Sequence, residues 1–99
     1  MKYKVYVHYF PLTNGIYVGK TTMHSGRENV KTWRGVRKRG WCRHWMASNR
    51  QGPEIFIFDT FESERQALLW ENIVMNTFKE EGFSMINILF NRMPNRDVI

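Results

Sequence analysis

Tyr3-Lys4-Val5-Tyr6-Val7-His8-Tyr9-Phe10, Pro11-Leu12-Thr13-Asn14-Gly15 and Ile16-Tyr17-Val18-Gly19 follow one another at the start of the chain. The first run is rich in β-branched and aromatic residues and reads as a strand. The second supplies turn chemistry, with Asn14-Gly15 able to take positive φ, and the third begins the return strand. A β-hairpin therefore opens the fold. Gly19 and the following Lys20-Thr21-Thr22 are expected to let the backbone bend away from the sheet.

Beyond the hairpin, residues 22–35 are polar, punctuated by Ser25-Gly26 and Gly35, and read as a long basic loop. From about Val36 to Asn49 the pattern fits a helix with Trp41, His44, Trp45 and Ser48 on one side; Gly40 weakens it by about 1 kcal/mol relative to alanine. Gln51-Gly52-Pro53 ends it. Glu54-Ile55-Phe56-Ile57-Phe58-Asp59 is an apolar run of strand length, expected to be central and covered on both faces. Ser63 followed by Gln66 is a capping-box signature for a helix from about Glu64 to Glu81, closed by Gly82. Ile86-Asn87-Ile88-Leu89 reads as a short extended segment. The predicted fold is a small α/β sandwich: a mainly antiparallel, three-stranded central sheet flanked by helices.

The chain has 99 residues, enough for one domain with one modest core. We place that domain at residues 1–90 and a C-terminal tail, with Pro94, at 91–99. No apolar run approaches the ~20 residues of a membrane helix, and no leader pattern stands at the N-terminus, so no membrane partner is expected. A single cysteine, Cys42, excludes an internal disulfide framework and a multi-cysteine zinc site. A reducing, intracellular (cytoplasmic) setting is the expectation.

Fifteen Lys and Arg against nine Asp and Glu give a net charge of +6, with a pI near 9.8. The charge is polarised. Residues 20–50 hold nine basic side chains (Lys20, Arg27, Lys31, Arg34, Arg37, Lys38, Arg39, Arg43 and Arg50) against one acid, Glu28, whereas residues 51–81 hold seven acids against Arg65 and Lys79. Trp33, Trp41 and Trp45 lie inside the basic stretch. Basic groups interleaved with aromatics suit a phosphate backbone; a basic surface anchored to the core by its tryptophans is the plainer alternative. The nucleic-acid reading assigns contacts to Lys20, Arg27, Lys31, Arg34, Arg37 and Lys38.

Periodicity exposes Glu71. Ala67, Val74, Met75 and Phe78 share its helical face, so a carboxylate lies on a core-facing stripe. Such a group needs pairing, protonation or a metal. Two accounts stand open: a partly exposed edge or buried ion pair with an arginine, and a ligand for Mg²⁺, which prefers carboxylate oxygen and keeps water. Tyr6 and Tyr17, on adjacent hairpin strands, are the second constellation; packing is the commoner use of such a pair.

With these residues in view, the sequence resembles the GIY-YIG nuclease domain. Lys4-Val5-Tyr6 stands at the first Gly-Ile-Tyr motif and Tyr17-Val18-Gly19 at the second, Tyr-Ile-Gly, motif; the literal Gly15-Ile16-Tyr17 has no second motif ten residues beyond it. Ala67, Glu71, Met75, Phe78, Gly82 and Asn87 follow the later pattern, so the resemblance covers about residues 3–89. Lys4 departs from the first glycine.

The resemblance implies a stand-alone, metal-dependent endonuclease acting on DNA phosphodiesters, of bacterial, phage or mobile-element origin. Glu71 would hold Mg²⁺ or Mn²⁺, and Tyr6 or Tyr17 would orient and help deprotonate the attacking water. Asn87 would order the site through its amide, and His44 would assist the base or bind phosphate. The family's arginine falls on Arg27, with Lys31 where histidine would be, or on Arg39 or Arg43 beside His44; Trp41 and Trp45 favour the second alignment. The alternatives are a catalytically inactive nucleic-acid-binding module of the same fold and a protein-interaction adaptor. No appended recognition domain fits in the length, so specificity would come from the basic stretch, a separate protein, or self-association as a homo-oligomer.

Overall fold

The computed structural model describes residues 2–29 and 35–87, with side chains for 2–29 and 40–87. The hairpin forms as expected from β1 (Tyr3–Phe10) and β2 (Gly15–Thr22). Asn14 takes φ 59° at the turn. The strands pair antiparallel with Tyr6 opposite Gly19 and His8 opposite Tyr17. Gly19 does not bend the chain away, because β2 continues three residues beyond it to Thr22.

A short 3₁₀ turn, η1 (Arg27–Asn29), interrupts the basic loop and precedes α1 (Gly35–Ala47). Gly40 lies inside α1, where a Cβ would sit 3.2 Å from Ile86 Cγ2, so close approach of the C-terminal segment explains the helix-weakening residue. β3 (Glu54–Phe61) and α2 (Glu64–Glu80) follow. Ser63 caps α2 by accepting from the Gln66 N–H at 3.1 Å. At the other end Gly82 has φ +95°, which only glycine adopts without strain.

Among the described residues the sheet has four strands in the order β3-β1-β2-β4. Its β3-β1-β2 part is the antiparallel three-stranded sheet expected. The addition is β4 (Ser84–Met85), which pairs parallel with Gly15 and Ile16 and makes the sheet mixed. It stands just before the extended segment read at Ile86–Leu89: Ile86 and Asn87 lie past the strand, and Ile88 and Leu89 lie outside the described residues.

The expectation for β3 is corrected. Among the described residues it is an edge strand, and Ile55, Phe56, Ile57 and Phe58 are exposed. The central position belongs to β1, which is bound by its hairpin partner on one side and by β3 on the other. An apolar run marks a strand as buriable without saying what buries it.

Two small cores lie on the two sheet faces. Val5 and Val7 with Ile16 and Val18 pack against Ala67, Val74 and Met75 of α2. Tyr6, Phe10 and Tyr17 pack against Trp41 of α1 and Ile86. The strand alternation of two sorts the hairpin's side chains between the helices. The 90/91 domain–tail boundary lies outside the described residues.

Candidate functional site

The register of the hairpin decides what meets on the α1 face. Tyr6, His8 and Phe10 of β1 share that face with Gly15, Tyr17 and Gly19 of β2. Tyr6 and Tyr17 are diagonal neighbours with ring centroids 6.2 Å apart. Gly19 lies under the Tyr6 ring: a Cβ there would overlap Tyr6 Cζ and its hydroxyl oxygen. The Tyr-x-Gly spacing thus has a local reason, since only a residue without a side chain leaves room for the first motif's tyrosine.

His8 stands between the two phenols, 5.3 Å from Tyr6 and 6.0 Å from Tyr17 by ring centroid. It is 1% exposed. The Trp41 indole N–H donates to His8 Nδ1 at 3.1 Å. An indole can only donate, so Nδ1 is unprotonated and the neutral ring carries its hydrogen on Nε2. Nε2 then donates to the Glu28 backbone carbonyl. Burial pushes the His8 pKa below its ordinary 6.5, outweighing the carbonyl bond and the nearby Glu28 carboxylate.

Glu28 also anchors the same loop through its side chain. Lys4 Nζ donates to Glu28 Oε2 at 2.7 Å, and both side chains are nearly buried. Desolvation raises the Glu28 pKa, but the Lys4 ammonium and other nearby donors more than offset it, leaving the carboxyl below its ordinary 4.5. Among the described residues the buried Oε1 has no hydrogen-bond partner. Lys4, the departure from the first motif's glycine, therefore holds η1 against the tyrosine face. The sequence singled out neither His8 nor the Lys4–Glu28 pair. The available signals were a histidine on the aromatic face of a strand and the one acid in a basic stretch.

The other expected site residues fall in three places. Asn87 grips β2: its Oδ1 accepts from the Val18 N–H and its Nδ2 donates to the Val18 carbonyl, both at 2.8 Å. His44 lies at the turn end of the hairpin, stacked on Phe10, packed on Gly15 and within 2.6 Å of Thr13 Oγ1; burial lowers its pKa. Glu71 is half-buried on α2, whose core residues cover the opposite, Val5–Val18 face. Glu64, one heptad earlier on α2, reaches Lys20 of β2 at 3.0 Å.

Arg27 is exposed on η1 beside Glu28, and Arg43 is exposed on α1. Lys31 and Arg34 lie outside the described residues. Arg37, Lys38 and Arg39 belong to the part of α1 whose side chains lie outside them. Among the described residues no three His, Cys, Asp or Glu side chains come together. A divalent ion at Glu71 would take its other ligands from water and substrate phosphate, a mode of binding common for Mg²⁺. Among the described residues no helix is long and apolar enough to cross a membrane. Comparison of the chain with protein-family models, with curated proteins and with solved structures finds no match.

Proposed function

We propose that this protein is a metal-dependent endonuclease of the GIY-YIG type, acting on DNA. The observation that carries the reading is the hairpin register, which puts Tyr6 and Tyr17 on one face with Gly19 beneath the Tyr6 ring. The basic stretch supports it, because η1 and α1 lie over that same face.

Each residue then has a chemical task. A bound Mg²⁺ or Mn²⁺ would supply Lewis-acid polarisation of the scissile phosphate; Glu71 would provide an anionic oxygen to hold it. Tyr6 and Tyr17 orient the attacking water. A free phenol has a pKa of about 10, so accepting a proton near neutrality requires a neighbouring positive charge. His8, neutral and tied at both ring nitrogens, fixes the phenols' position. Asn87 holds β2 at Val18 and thereby sets Tyr17 and Gly19 on either side. An arginine meets charge developing on the phosphate. The docking of η1 beside His8 and Tyr6 favours Arg27 over Arg39 or Arg43 for this role.

The burial of the two phenols, 1% and 2% exposed, favours a second reading, a nucleic-acid-binding module that does not cleave. A cleavage panel of duplex, branched and single-stranded DNA with Mg²⁺, Mn²⁺ and EDTA separates the two. The nuclease cuts at least one substrate with metal and none in EDTA. Binding without cleavage under every condition selects the second reading.

A further inference from the structure

The edge strand β3 leaves apolar side chains in the open on both of its faces. Its register with β1 puts Ile55 and Ile57 on the face of His8 and Tyr6, and Phe56 on the face of Val7. Phe58 is the extra residue at the bulge, and its ring lies 6.0 Å from Trp70 of α2 by centroid. Ile73 follows Trp70 by one helical turn. These six side chains are 36–49% exposed. With about 200 Å² on each large side chain, they leave about 500 Å² of apolar surface divided between the two faces of this edge. The unpaired backbone edge adds to this surface, against the ~800 Å² that each partner of a stable complex buries.

From this surface we infer that two copies of the chain pair through β3, antiparallel about a two-fold axis, into one continuous sheet. A helix or loop docked on one face would leave the other face open. Strand addition covers the edge and brings like faces of the two copies together on both sides. The charges fit self-pairing. With Ile57 opposite its own copy, Glu54 lies across from Thr60 and Asp59 across from Ile55, so no two acids oppose. Between Glu54 and Phe61 the strand carries no lysine or proline to discourage edge pairing.

Sedimentation equilibrium of the full chain, from about 1 to 100 µM without metal or nucleic acid, tests this independently of any cleavage. The expected mass is twice 12.0 kDa. Ile57→Lys and Ile73→Glu should each weaken the dimer at least 100-fold with the circular dichroism spectrum retained. Leu12→Glu, at the hairpin turn, should leave it intact. If Ile57→Lys does not fold, Ile57→Cys with Cys42→Ser should give a covalent dimer on oxidation, and its failure to do so overturns the pairing. A wild-type monomer at 100 µM overturns the inference and assigns the patch to another occupant, including the chain's own remaining segments. A dimer that survives both β3 and α2 variants, or is lost in Leu12→Glu, overturns it equally.

Discussion

Gly19→Ala would drive a methyl group into the buried ring of Tyr6. Overpacking of this kind destabilises by about 1–3 kcal/mol, to be read as a lower midpoint in urea. His8 adds a pH test. Its folded pKa lies below the ordinary 6.5, as does that of His44. Above about 6.5 both states are neutral and stability is flat; below it the unfolded chain binds protons that the folded chain refuses, so stability falls as pH falls. Protonation would also set His8 Nδ1–H against the Trp41 indole N–H. Denaturation midpoints between pH 7.5 and 5 should show this loss, and His8→Gln should reduce its slope, leaving the share of His44. Glu28 acts in a lower window: its depressed pKa gives stability present above about 4.5 and lost as pH falls through the folded value. At this scale the shared face of Tyr6 and Tyr17 was legible from the hairpin alternation, and the helix that carries Glu71 from its period. His8 and Glu28 were not, because their role comes from a contact between β1 and a turn twenty residues away.

The elements most legible in the sequence were those with local punctuation: the hairpin by Asn14-Gly15 and α2 by Ser63 and Gly82. β3 was legible as a strand but not as an edge, since long-range packing decides which side of the hairpin it joins and how much of it the helices cover. β4 has two residues and no pattern of its own; it exists because Ser84 and Ile86 donate to the Asn14 and Ile16 carbonyls. Next to it, Asn87→Ala would leave the Val18 N–H and carbonyl unpaired in a buried setting. The loss should be about 1–3 kcal/mol, larger than for Asn72→Ala on the exposed face of α2, as thermal denaturation of the two variants would show. The position of η1 carries a kinetic prediction. Of Arg27→Ala, Arg39→Ala and Arg43→Ala, the first should lower the single-turnover cleavage rate by about 10²–10³ with little change in affinity. The same loss in Arg39→Ala or Arg43→Ala, with Arg27→Ala near wild type, would move the role to α1.

Along the whole chain the charge is divided between a basic segment, residues 20–50, and an acidic one running through β3 and α2. Binding to duplex DNA should therefore weaken steeply with salt, with a log–log slope of about −0.9 per phosphate neutralised; changing Arg37 and Lys38 together should flatten that slope. Composition made this polarity legible from the outset, whereas which sheet face each helix covers belongs to the tertiary fold. The most direct test of the central claim is Mg²⁺-dependent cleavage by Glu71→Gln, measured beside DNA binding in EDTA and the melting temperature. Glutamine keeps the shape and hydrogen-bonding capacity of the side chain but is a poor ligand for a hard cation. The nuclease reading predicts near-complete loss of cleavage, with binding and melting temperature retained or the latter slightly raised. A lowered melting temperature with cleavage by the folded fraction unaltered would contradict it, and would make Glu71 a structural ion-pair partner.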